Sequence, residues 1–142
     1  MQPDRLTDMM GGTAALGAEL HDVNDLVRLV RAGLPLATVE AIVDGGWLNR
    51  AELSTIVLNG TSLSARRVQG RLTASQSDRL VRALRVLSLT VETFGNRDKA
   101  AHWLRRPSTI LGGETPLSLL DTDEGTRAVE TLLGRIGHGI AA

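Results

Sequence analysis

From Asp22 onward, apolar residues recur every three or four positions, the period of an amphipathic helix. Val23, Leu26, Val27 and Val30 fall on one face, and Gly33 ends that run. Pro35 suits the first turn of a second helix, with Val39, Ile42 and Val43 inward and Gly45-Gly46 as its stop. Asn49 followed three residues later by Glu52 is a capping-box pattern and opens a short helix, about Arg50–Leu58, that buries Leu53, Ile56 and Val57. Asn59-Gly60 is a turn signal, because both residues tolerate positive φ. Thr61 or Ser62 then caps another short helix that runs to about Gln69 and ends at Gly70.

A second capping box, Thr73 to Gln76, opens the longest helix, about Ala74–Phe94. Leu80, Leu84, Leu87, Val91 and Phe94 form its stripe, with Arg79, Arg82 and Arg85 facing elsewhere. Gly95 stops it. Asn96 caps a helix carrying Ala100, Ala101, Trp103 and Leu104 ahead of Pro107. Leu111-Gly112-Gly113 reads as a loop, and Thr115-Pro116 opens a short helix to Leu120. Thr122 caps the last helix, where Asp123 and Glu124 complement the positive N-terminal end and Val129, Leu132, Leu133 and Ile136 form the buried face. No stretch alternates as a strand does, so the fold class is all-α. Residues 1–20 are rich in Gly, Ala, Thr and Met, show no clear period and are expected to be a frayed arm.

Two short helices around the Asn59-Gly60 turn have the spacing of a helix-turn-helix. The second presents Ser62, Ser64, Ala65, Arg66 and Gln69, small or polar residues that suit close approach to a major groove. A solvated helical hairpin has the same pattern. Charge sharpens the picture: the net charge is zero over 142 residues, yet residues 66–106 hold ten Lys/Arg against three acids, flanked by acidic segments. A basic middle is an anion-binding surface or an Arg-rich solvated face.

Composition removes several classes. There is no cysteine, so disulfides and thiol chemistry are absent. His21, His102 and His138 have no metal-ligand spacing, and neither a metal nor a cofactor is expected. No catalytic constellation stands out, which argues against an enzyme. No apolar run is long enough for a membrane span, no secretory signal opens the chain, and a soluble cytoplasmic protein is expected.

Several strings carry a family resemblance. They are Gly33-Leu34-Pro35, Gly70-Arg71-Leu72-Thr73, Ser77-Asp78-Arg79-Leu80, Phe94-Gly95-Asn96 and Trp103-Leu104 with Pro107. The most specific are Leu111-Gly112-Gly113-Glu114-Thr115-Pro116-Leu117, Leu120-Asp121-Thr122, and Gly125, Val129 and Leu132 through Gly139. Over residues 23–142 the chain resembles the antitoxins of RES–Xre toxin–antitoxin systems. The resemblance implies a divergent Xre-type helix-turn-helix domain followed by a helical toxin-binding domain, expected here as residues 22–72 and 73–142 after a flexible arm, 1–21. It implies a RES-domain toxin as partner, similar in fold to ADP-ribosyltransferases and consuming NAD, so that NAD is the toxin's substrate and not a cofactor of this chain. It further implies that the C-terminal segment, here Arg135 to Ala142, lies against the toxin's cleft and that operator DNA is a second partner. One helix-turn-helix offers few contacts for strong specific binding, so a dimer is expected within the toxin–antitoxin complex.

The chain departs from the family at the second helix of the pair. Ala65 stands where a basic residue usually precedes the Arg pair, and Thr61-Ser62-Leu63 replaces the usual Arg-Thr-Leu run. The DNA-contact candidates are Ser62, Ser64, Arg66, Arg67 and Gln69, with Arg71 as a backbone clamp. The toxin-contact candidates are Trp103, Leu111, Gly112, Arg135, Ile136, His138, Gly139 and Ile140. Trp103 equally suits a core anchor, and Arg135 equally suits a cation satisfying a helix C-terminus. Two other readings stay open: a transcription regulator whose C-terminal helices only dimerise, and a protein-binding module that has lost DNA binding.

Overall fold

A computed structural model describes residues 3–139, and every regular element among them is helical. The helices are α1 (Pro3–Met9), α2 (Gly12–Leu16), α3 (Val23–Ala32), α4 (Leu36–Asp44), α5 (Arg50–Ile56), α6 (Leu63–Arg67), α7 (Ala74–Phe94), α8 (Arg97–Leu104) and α9 (Asp123–Gly137). Two 3-10 turns, η1 (Thr109–Leu111) and η2 (Leu117–Asp121), lie between α8 and α9. The chain divides into two compact units, one up to Val81 and the other from Arg82, so α7 contributes to both. The expected boundary at residue 72 marks the linker before α7, whereas the division falls within that helix.

Caps explain where most helices begin. Asn49 accepts from the Glu52 amide at 2.8 Å while Glu52 accepts from the Asn49 amide at 2.9 Å, the reciprocal pair that the sequence predicts. Thr73 and Gln76 exchange the same two bonds, each 3.0 Å, at the start of α7. Asp22, Asn96 and Thr122 accept from the amides three residues on and open α3, α8 and α9. These bonds satisfy amides that a helix start leaves without partners.

In the first unit, Leu34, Val39, Ile42, Leu48, Leu53, Ile56, Val57, Leu72 and Leu80 are buried. Here the expected frayed arm is corrected. Residues 3–16 form α1 and α2, α1 packs on α2, and α2 packs on α4. Leu6, Met9, Met10 and Leu16 are nearly inaccessible to solvent. Burying these four side chains offsets the ordering of two helices too short to stand alone. The face assigned to α3 is corrected as well. Leu26 is buried, but Val23 and Val27 are 58% and 39% exposed.

The α3–α4 and α6–α7 connections meet side by side. The Leu36 amide donates to Gly70 O at 3.1 Å and the Leu72 amide to Leu34 O at 2.9 Å, an antiparallel bridge centred on Pro35 and Arg71. Two of the family-like strings are therefore partners in space. Gly33 permits this approach: its φ is +94°, and a Cβ there would lie 2.1 Å from Leu72 O.

In the second unit, Ala83, Leu84, Val86, Leu87, Ala100, Leu104, Leu117, Leu120, Val129, Leu132 and Leu133 are buried. α9 packs on η2. Gly125 lies against the Leu119 carbonyl, whose oxygen would sit 2.0 Å from an added Cβ. The loop after α8 is closed on itself: the Ser108 amide donates to Glu114 O at 3.0 Å and the Gly113 amide to Ser108 O at 2.8 Å.

Candidate DNA and toxin surfaces

The first candidate surface is α6 and its flanks. Asn59 (φ +51°) and Gly60 (φ +84°) turn the chain after α5 through the left-handed region, as their side chains permit. Ser62 then caps α6, its Oγ accepting from the Ser64 amide at 3.1 Å. No side chain of α6 is buried. Ser62, Ser64, Ala65, Arg67 and Gln69 are exposed, whereas Leu63 and Arg66 are half-covered. The helix ends at Arg67, two residues short of the expected end, and Val68 after it is 89% exposed.

The basic residues of this region divide by what they touch. Arg71 donates through Nη1 to the carbonyls of Ala32 and Gly33 at 3.2 and 3.1 Å, where α3 ends. It thereby satisfies carbonyls that a helix end leaves open. Arg66 donates through Nε to Arg71 O at 3.3 Å. Arg79 reaches from α7 to Val57 O at 2.9 Å, bracing the end of α5, and to Ser75 Oγ at 3.1 Å. Part of the basic middle is thus spent on the chain's own carbonyls. Arg67 and Gln69 stand outward, clear of these bonds.

The second surface lies around α8, η1 and the end of α9. Trp103 is half-buried, its ring centroid 5.5 Å from that of Phe94 and tilted by 44°, a favourable edge-inclined pairing. It is both an anchor and a wall: Phe94, Asp98, Lys99, His102, Trp103 and Arg106 line an open recess of about 500 Å³. Lys99, His102 and Arg106 were not among the candidates that the sequence offered; their i, i+3, i+7 spacing along one stretch was the available signal. Leu111 is half-covered in the closed loop and Gly112 is exposed at its turn, with φ +71°. Ile110 beside them is 57% exposed.

At the end of α9, Gly134, Arg135, His138 and Gly139 are exposed and Ile136 is half-covered. His138 Nδ1 approaches Gly134 O at 2.7 Å, closing the helix end. Ile140 lies outside the described residues. The structure gathers Trp103 with the cations of α8. The candidates on η1 and those on α9 occupy separate elements of the same unit.

A group with shifted proton affinity, Asp25, lies outside both surfaces. The His21 amide donates to Asp25 at 2.8 Å, and this bond, helped by Arg28, holds the Asp25 carboxyl below the usual carboxylate range. Among the described residues no group of His, Asp and Glu could hold a metal ion, and no helix is long and apolar enough to cross a membrane.

Comparison with known proteins matches two segments of the chain. Residues 25–85 match the family model of the antitoxin Xre-like helix-turn-helix domain, and residues 90–139 that of the antitoxin Xre/MbcA/ParS C-terminal toxin-binding domain. The chain is 37% identical over 117 residues to a protein named Antitoxin Xre from Photorhabdus laumondii, covering 80% of this chain and 79% of that one. It is 34% identical over 118 residues to the Antitoxin Xre of Yersinia enterocolitica, covering 81% and 80%. The Antitoxin Xre of Pseudomonas putida is 33% identical over 98 residues, covering 69% and 62%.

Proposed function

The chain belongs to the Xre antitoxin family, and from that premise we propose that it neutralises a RES-domain, NAD-consuming toxin and represses its own operon. The observation that carries this reading is one chain holding both a helix-turn-helix segment and a toxin-binding segment. One partner is then sequestered while the other, DNA, is bound from the opposite end of the sequence. The chain acts by binding and covering, with NAD as the toxin's substrate.

Within this reading the end of α9 and the residues after it enter the toxin's cleft. Arg135 is exposed there and carries a charge that pairs with a carboxylate or takes the place of an anionic substrate group. Gly134, Gly137 and Gly139 keep the segment slender enough to enter a cleft. On the DNA side, Arg67 and Gln69 supply direct contacts, with Ser62 and Ser64 allowing close approach. One such helix offers few contacts, so a dimer reads two half-sites.

The test is co-expression and co-purification with the RES-domain protein encoded beside the gene, followed by an NAD-hydrolysis assay and a gel shift on the upstream DNA. A stable complex without NAD hydrolysis, plus a salt-sensitive shift, is the expected result. Continued NAD hydrolysis in the presence of excess chain overturns neutralisation. A second reading has its own support: Arg66 and Arg71 are engaged with protein carbonyls, and Ala65 offers no charge. That favours a toxin-binding module with little DNA affinity, and an absent gel shift beside full neutralisation selects it.

A further inference from the structure

Only three aromatic residues occur in the whole chain, Trp47, Phe94 and Trp103. Two of them pack together, and both line the recess beside α8 without being fully covered. A chain this poor in aromatic surface gains by burying such rings; leaving the pair half-covered forgoes that gain. Around the rings stand Lys99, His102 and Arg106, with Asp98 as the one acid. Lys99, His102 and Arg106 are exposed, and among the described residues none of them makes an ion pair. The recess continues into a second of about 430 Å³, lined by Asp98, Ala101, His102, Arg105, Arg106 and Pro107. Asp98, His102 and Arg106 border both, so the two form one groove along α8.

We propose that this groove is the anchor site for a toxin segment that presents an apolar side chain with a carboxylate close beside it. The inference rests on the neutralisation reading above and deepens it by assigning the chemistry of the contact. Phe94 and Trp103 take the apolar group, and Lys99 and Arg106 take the carboxylate. The charge pattern fits an acidic partner: residues 97–106 carry Arg97, Lys99, Arg105 and Arg106 against Asp98 alone. A nucleic acid would also welcome cations, but the groove lies within residues 90–139, the toxin-binding segment, and not within the helix-turn-helix segment. Tryptophan and arginine at the centre of a contact are the residue types that dominate binding energy.

The test measures affinity of the full-length chain for the RES-domain toxin encoded beside it, carrying a catalytic-site substitution so that it can be produced. Lys99→Glu with Arg106→Glu reverses two exposed charges without touching the aromatic pair. Binding should weaken by roughly thirty-fold, and the salt dependence of affinity should flatten. Trp103→Ala should weaken it at least as much, with Trp103→Phe restoring most of the loss; circular dichroism checks that each variant stays helical. Unchanged toxin affinity in the double variant overturns the groove assignment while leaving neutralisation intact. Failure of the unaltered chain to bind the toxin overturns both. Loss of self-association in sedimentation with toxin affinity intact marks a contact between two copies, and loss of DNA binding alone marks a nucleic-acid contact; either result overturns the proposal.

Discussion

The Leu34 amide donates a buried hydrogen bond of 2.8 Å to the Oγ of Ser77, forty-three residues away. Ser77 Oγ in turn donates to Thr73 O at 2.8 Å, so one hydroxyl joins the α3–α4 connection to the first turn of α7. Replacing Ser77 with alanine leaves a buried amide without a partner. Ser77→Ala is therefore expected to destabilise the first unit by about 1–3 kcal/mol. Urea denaturation read at constant m checks this; an unchanged midpoint contradicts it.

Two glycines of α9 should respond oppositely to the same substitution. An added Cβ at Gly125 meets Leu119 O at 2.0 Å, whereas at Gly134 it meets nothing. Gly125→Ala is expected to cost about 1–3 kcal/mol or more through overpacking. Gly134→Ala should stabilise by roughly 0.5–1 kcal/mol through helix propensity. Thermal melts of the two variants give the signs directly. If Gly134→Ala raises the melting temperature yet weakens toxin binding, the end of α9 belongs to the contact.

Among the arginines near α6, Arg67 stands outward while Arg66 and Arg71 hold protein carbonyls. Arg67→Ala should lower the salt slope of DNA binding by about 1 and leave the melting temperature alone. Arg66→Ala should reduce the slope by less, because its Nε is held by the Arg71 carbonyl. Arg71→Ala should lower thermal stability, because the end of α3 loses its donor. A gel shift across salt concentrations, paired with melts, separates these three outcomes.

Removing residues 136–142 deletes the last half-covered side chain of α9 but keeps the buried Val129, Leu132 and Leu133. The shortened chain should stay folded and should no longer protect the toxin's cleft. Full suppression of NAD hydrolysis by the shortened chain contradicts the occlusion reading.

Asp25 gives a pH dependence with a definite sign. Its carboxyl is held below the ordinary range by the His21 amide and by Arg28, so the folded form favours the ionised group. That contribution is present above the ordinary carboxylate pKa and is lost as pH falls below it, through the lower folded value. Amide exchange in the first turn of α3 should quicken over that interval. Asp25→Asn should abolish the step.

The caps were legible because a cap is local chemistry: Asn49–Glu52 and Thr73–Gln76 need only four residues to declare themselves. The helix-turn-helix followed from Asn59-Gly60 and its flanks for the same reason. What sequence reading missed depends on distant partners. Leu6, Met9 and Met10 stand at i, i+3 and i+4, but glycines at 11 and 12 break the run before Leu16, and only packing on α4 makes α2 worthwhile. The stripe on α3 was real as a pattern, yet periodicity reports which residues share a side and not whether that side is covered. The recess beside α8 was invisible for a related reason: Phe94 and Trp103 belong to different helices, and their nine-residue separation predicts no contact.

The short bridge between the two connections turns residues 36–70 into a hasped lobe. A nick at the exposed Asn59-Gly60 turn would produce two fragments, yet neither should drift away. One remains moored through buried Leu34, the other through buried Leu72, and Arg79 keeps hold of Val57 across the cut. Limited proteolysis would then yield a clipped molecule that still travels as one body on a sizing column.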